Sequence, residues 1–151
     1  MEVYTHVHCR QKRYDTIVYN RCGKSDLKLP VVSLGLWHNF GDTSVYENMK
    51  QMCFTAFDNG ITHFDLDGRF LNETALTSEK LSQIQALNEI AMERGQTLAE
   101  MALSWILKDD KVTSVLIGAS KPEQILDNIK IIGHTDFSDE ELKKIDDIVN
   151  S

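Results

Sequence analysis

In Val112-Thr113-Ser114-Val115-Leu116-Ile117-Gly118-Ala119-Ser120-Lys121-Pro122-Glu123-Gln124, a short apolar run rich in β-branched residues meets Gly-Ala-Ser, and a proline then opens a helical pattern. The order reads as strand, tight turn and helix N-terminus. Free backbone N–H groups and the positive end of the helix macrodipole make such a turn a natural seat for phosphate. Lys121 adds a charge at its lip, and Gln124 stands one turn into the helix on the same side. A plain capped helix explains the same letters, because Ser120-Lys121-Pro122-Glu123 has capping-box spacing. On local pattern both readings stand.

Upstream, Val31-Val32-Ser33-Leu34-Gly35-Leu36-Trp37 is a mostly apolar strand of the kind buried on both faces. Thr43 or Ser44 caps a helix with the stripe Val45, Met49, Met52, Cys53, Ala56 and Phe57, and Asn59-Gly60 closes it. Residues 61–66 form the next strand. Strand, helix and strand within so short a span make a βαβ unit, so the sheet should be parallel with a right-handed crossover. Before it, Val18-Tyr19 and Leu27-Lys28-Leu29 flank a turn at residues 22–26, and Pro30 is expected to break the run. Residues 1–17 read as a loosely held lead-in.

Beyond Leu66 the pattern turns helical. A run from about Ser78 to Glu93 sets Leu81, Ile84, Leu87, Ile90 and Ala91 on one face. Thr97-Leu98-Ala99-Glu100 is a capping box opening a helix with Leu98, Met101, Ala102, Trp105 and Ile106 inward. After Pro122 a helix buries Ile125, Asn128 or Ile129, and Ile132. Ser138 with Glu141 opens a last helix striped by Leu142, Ile145, Ile148 and Val149. The chain divides into a lead-in (1–17), an opening βαβ segment (18–66) and a closing segment of helices and the last strand (67–151), one domain overall.

At 151 residues the chain is long enough for one core, and its 42% hydrophobic and 26% charged residues are ordinary for a globular protein. A formal net charge of -7 with no Lys/Arg run argues against nucleic acid as a partner. No span reaches membrane length and no apolar signal region opens the chain, so neither membrane nor secretion is expected. Cys9, Cys22 and Cys53 are odd in number and form no C-x-x-C pair, which suits the cytoplasm better than a disulfide framework. His6, His8 and Cys9 make an H-x-H-C cluster without visible partner ligands, so no metal site is expected.

In parallel α/β folds, functional groups gather where strands finish. Asp65 ends an otherwise apolar strand and must find a cationic or hydrogen-bonding partner there, carry a raised pKa, or simply cap the next turn. His63, two residues back on the same face, reads first as a satisfied core histidine. Trp37 is either a pocket wall or plain core.

The words Tyr19-Asn20-Arg21-Cys22-Gly23-Lys24-Ser25, Leu29-Pro30, Ser33-Leu34-Gly35-Leu36-Trp37 and Gly60-Ile61-Thr62-His63-Phe64-Asp65 resemble the opening of an aldo-keto reductase. The resemblance is to the branch similar to glyceraldehyde-phosphate reductases and potassium-channel β-subunits. Asp67-Gly68-Arg69-Phe70-Leu71, Ala102-Leu103-Ser104-Trp105 and Ile117-Gly118-Ala119-Ser120-Lys121-Pro122-Glu123-Gln124 with Asn128 resemble its closing part. The resemblance implies a (β/α)₈ TIM-barrel-type fold, NADPH as cofactor and a small carbonyl substrate. By the same token Gly118, Ala119, Ser120, Lys121, Gln124 and Asn128 would hold the adenosine 2′-phosphate end of NADPH. Leu36 and Trp37 would lie beside nicotinamide and substrate.

Asp65 matches the catalytic Asp of the family. The proton-donating Tyr should follow a few residues later, yet Leu66-Asp67-Gly68-Arg69 stand there. The strands that would carry the family Lys and His have no counterpart, and Tyr46, His38 and Lys80 occupy no family position. A barrel of this kind takes about 250 residues. The sequence therefore reads as the two ends of a barrel joined across an internal gap near Leu66-Asp67, an incomplete fold with its reductase activity impaired or lost. The alternative is a non-catalytic NADP(H)-binding or assembly remnant, whose open sheet edges favour homo-oligomers.

Overall fold

A computed structural model describes residues 11–36, 40, 44–65 and 77–151. Chain order runs β1 (Tyr19–Arg21), β2 (Lys28–Pro30), β3 (Val32–Gly35), α1 (Tyr46–Asp58), β4 (Phe64–Asp65), α2 (Ser78–Glu93), α3 (Leu98–Leu107), β5 (Val115–Gly118), α4 (Pro122–Ile129) and α5 (Asp139–Val149). Trp37, His38 and the His6/His8/Cys9 cluster lie outside the described residues.

β3 is central, flanked by β4 and β5, and both pairings are parallel. The last strand thus pairs with the first strand of the βαβ unit, the contact that closes a barrel ring. Among the described residues the ring itself is not closed. This is an α/β fold of the (β/α)₈ type carrying only part of the barrel.

Alternation along the strands decides which face is covered. Val32, Leu34, Val115 and Ile117 turn to one face, where Met52 and Ala56 of α1 and Ile125 of α4 complete a buried core. Ser33, Gly35, Leu116 and Gly118 turn to the other, and there Leu116 remains 46% exposed. A second core joins Ile90 and Ala91 of α2, Met101 of α3 and Ile145 of α5.

The β1–β2 hairpin lies at the N-terminal ends of the strands. The Tyr19 hydroxyl donates to the Gly60 carbonyl, and Asn20 Nδ2 donates to the Thr113 carbonyl at 3.1 Å. Pro30 does not break the hairpin as expected. It is the buried last residue of β2, paired with Tyr19, a position that asks no N–H of it. Residues 11–17 are mostly exposed but anchored at two points, with Ile17 buried in the core and the Arg13 guanidinium 4.5 Å from the Phe57 ring centre.

Helix boundaries follow the sequence reading closely, but some faces do not. The N-cap of α1 is Val45, without a side-chain cap bond, in place of Thr43 or Ser44. In α3 the inward residues are Glu100, Met101, Ser104 and Leu107, while Trp105 and Ile106 face out. The polar inward pair has reasons: Glu100 closes the capping box on the Thr97 N–H, and Ser104 receives a 2.9 Å bond from Gln96 Nε2. Lys108 lies 3.7 Å over the Trp105 ring and shields its outer face. In α2 only the C-terminal half is buried, leaving Leu81 and Ile84 exposed.

Candidate functional site

The register of the sheet brings the three strand ends into one row. Gly35 stands opposite Asp65 on one side and Gly118 on the other. Leu36 continues β3, its N–H donating to the Asp65 carbonyl at 2.6 Å while its side chain packs on the main core. Asp65, Leu36 and the Gly118 turn, far apart in the chain, therefore share one end of the sheet.

The turn after β5 has a definite hydrogen-bond pattern. The Ser120 N–H and hydroxyl both donate to Gln124 Oε1, at 2.7 and 3.0 Å. Ser120 is thus not the helix cap anticipated from its spacing to Glu123. Lys121 is the N-cap residue of α4, extended at φ -156°, with no side-chain cap bond. Gln124 outcompetes Glu123 because its amide oxygen already reaches both Ser120 donors. The Ser120 carbonyl accepts a 2.8 Å bond from Asn48 Nδ2 in the first turn of α1. Ala119 is buried, anchoring the turn in the core, whereas Gly118, Ser120, Lys121 and Gln124 are open to solvent. Asn128 stands one turn beyond Gln124 and is half-buried.

On the other face of the sheet, behind the row of strand ends, lies a short polar line. His63 Nδ1 is 3.0 Å from Ser33 Oγ, and Ser33 Oγ is 2.6 Å from Ser114 Oγ. His63 is hydrogen-bonded to a buried serine, so it is satisfied as expected, but it is exposed and not the core histidine the sequence suggested. Ser33, Ser114 and Asn48 escaped the sequence reading. Serines in apolar strands carry no local signal of a cross-strand bond, and the partner of Asn48 lies 72 residues away.

The matching region of the aldo/keto reductase family model covers residues 66–150, more than half of the sequence. The chain belongs to the aldo/keto reductase family. It is 51% identical over 78 residues to an Escherichia coli L-glyceraldehyde 3-phosphate reductase, covering 52% of this chain and 22% of that protein. It is 30% identical over 162 aligned residues to a Schizosaccharomyces pombe protein named as a voltage-gated potassium channel subunit beta, covering 96% of this chain and 46% of that protein. The chain thus spans less than half the length of these relatives. Aldo/keto reductases are oxidoreductases that act on small carbonyl compounds with a nicotinamide cofactor, and the strand ends described above are where a (β/α)₈ fold places such chemistry.

Tyr19 is engaged at the opposite end of the strands, Tyr14 packs edge-on to Tyr19 at 6.1 Å, and Tyr46 opens α1 with its side chain exposed. Lys80 is in the first turn of α2, its N–H bonded to the Thr77 hydroxyl. Among the described residues no His/Cys/Asp/Glu group is arranged to hold a metal, and no helix is long and apolar enough to cross a membrane.

Proposed function

We propose that this chain holds the phosphate-bearing end of NADPH at Gly118, Ala119, Ser120 and Lys121, with Gln124 and Asn128 on the following helix. The observation that carries the reading is the convergence of two Ser120 donors on a single oxygen, Gln124 Oε1, within 3.0 Å. A phosphate oxygen needs the same arrangement, at a helix N-terminus beside a lysine. The donor set fits the adenosine 2′-phosphate, and Leu36 borders the nicotinamide and substrate region with Trp37.

When bound, NADPH supplies a hydride to the carbonyl carbon of an aldehyde or ketone. The protein must deliver a proton to the oxygen. Asp65 is the one member of the family's catalytic set with a match, and its part is to pair with a lysine that eases proton transfer from a tyrosine. Loss of one general acid removes roughly 10²–10⁴ in rate. With Tyr, Lys and His all unmatched, the chain alone is a cofactor binder with little or no turnover. The name of the bacterial relative points to a phosphorylated aldehyde as the substrate class of the complete site. The cysteine pattern favours the cytoplasm, and Cys22 and Cys53 are both free thiols.

Calorimetric titration with NADPH, with NADH as control, tests the reading. We expect Lys121→Ala to weaken NADPH binding by roughly tenfold, the ~1.5 kcal/mol of a hydrogen bond to a charged group. Heat-silent titrations would remove the cofactor claim. NADPH oxidation by an aldehyde at a rate typical of an enzyme would overturn the inactive reading. An assembly role is the second reading, favoured by the 46% exposure of Leu116 on the open sheet face.

A further inference from the structure

We propose that Asn48 is a positioning residue for the phosphate seat, locking the Ser120–Lys121 peptide from the first turn of α1. The inference rests on the cofactor reading above and adds a residue from outside the turn itself. Asn48 Nδ2 donates to the Ser120 carbonyl at 2.8 Å, bridging two elements 72 residues apart in the chain. The peptide bond is planar and trans, so its carbonyl and N–H point in opposite directions. Holding the Ser120 carbonyl toward α1 therefore turns the Lys121 N–H away from α1. Without the tether, this peptide could rotate and carry the Lys121 N–H with it, because Lys121 has no side-chain cap bond to fix the helix entrance. The two Ser120 donors, its N–H and hydroxyl, are already set by Gln124 Oε1. With Asn48 in place the Ser120 carbonyl is fixed, so the Lys121 N–H needs little reordering when an anion arrives, and the two Ser120 donors have only to exchange Gln124 Oε1 for the anion.

The position of Asn48 also links the two halves of the site. α1 follows β3, which ends at Gly35 just before Leu36, while the phosphate turn follows β5. An amide at the third position of α1 ties the entrance of that helix to the turn before α4, alongside the packing of α1 and α4 through Met52, Ala56 and Ile125.

Three measurements test this on the full chain: titration with adenosine 2′,5′-bisphosphate, the ¹⁵N–¹H resonance of Lys121 without ligand, and thermal unfolding. Asn48→Asp keeps the side-chain shape, removes the donor, and places a carboxylate near a helix N-terminus, where it favours the helix. Asn48→Ala removes the donor without adding charge. We expect both to weaken bisphosphate binding about fivefold or more, the worth of one hydrogen bond. Both should also move the free Lys121 resonance, and Asn48→Asp should unfold at the parent temperature. Parent-like affinity in both variants overturns the inference and leaves the cofactor reading intact. Weakened binding with an unmoved Lys121 resonance and a lowered unfolding temperature in both assigns Asn48 a merely structural role and also overturns it. A parent chain that binds no bisphosphate overturns the cofactor reading, and this inference with it.

Discussion

Gly60 shows how one residue can be dictated by its surroundings. It adopts φ +84°, and a Cβ there would stand 2.3 Å from Ile17 Cγ2 and 2.5 Å from the Arg13 carbonyl oxygen. Gly23 also has positive φ, at +55°, but an added Cβ would meet nothing within 4 Å. The pair separates backbone strain from collision. Gly23→Ala should cost about 1–2 kcal/mol, the penalty for a left-handed alanine. Gly60→Ala should cost more, ~3 kcal/mol or above, because Ile17 and the Arg13 backbone must also move. Urea unfolding of both variants measures the difference, and equal losses would show that the lead-in does not press on Gly60. The sequence showed that Asn59-Gly60 ends a helix, because the signal is local. It could not show that residues 13 and 17 lie across that glycine. His63 differs again: that its ring would find a hydrogen-bond partner was readable as a tendency, but neither its exposure nor the identity of Ser33 as partner was.

At the scale of elements, Arg94 joins the end of α2 to the start of α5. Its guanidinium donates to Glu141 Oε1 at 2.7 Å and to the Asp136 carbonyl at 2.9 Å, and it lies 3.8 Å over the Phe137 ring. Glu141 is also the third residue of α5 and the acidic partner in the Ser138 capping box. The Ser138 backbone N–H first, and then Arg94, hold the Glu141 carboxyl below its usual 4.5. A carboxylate with a lowered folded pKa stabilises fully above the unfolded value, and that contribution disappears as pH falls through the lower folded value. Glu141→Gln retains a side-chain acceptor for the cap, so it isolates the charge. We expect it to cost about 1–2 kcal/mol at pH 7, with the gap between variant and parent narrowing below pH 4.5. Urea midpoints at pH 7 and pH 3 check this, and a gap that persists at pH 3 would rule out the charge as its source. Two of the three capping boxes read from sequence form as expected, at Thr97/Glu100 and Ser138/Glu141. The third, at Ser120/Glu123, does not, because a second acceptor one residue further on reaches the serine first. Spacing identifies which residues can pair, while competition among neighbours decides which do.

At the scale of the whole molecule, the βαβ order and the strand ends were legible because β-branched runs, turn glycines and helix caps are local signals. Which face of the sheet would lack cover was not, since that depends on elements elsewhere in a barrel. α1 and α4 cover one face; on the other, Leu116 stands over Gly35, with Leu116 Cγ 3.6 Å from the position of a Cβ on that glycine. In a closed barrel such inward residues fill the interior in layers supplied by alternate strands. Here, among the described residues, the sheet has three strands, with β4 and β5 at its edges. Parallel strands with open edges and a half-exposed apolar side chain such as Leu116 gain by burying both. We therefore expect self-association through this face, seen in sedimentation velocity as a weight-average mass that rises with concentration. Leu116→Glu would place a charge at the centre of the contact without touching Val115 or Ile117 on the covered side. It should shift the chain toward monomer and leave NADPH binding at the Gly118–Lys121 turn unchanged. A parent chain that sediments as a monomer at every concentration would remove the assembly reading. An association that Leu116→Glu leaves intact would move it to another surface, such as the exposed Trp105 and Ile106 of α3.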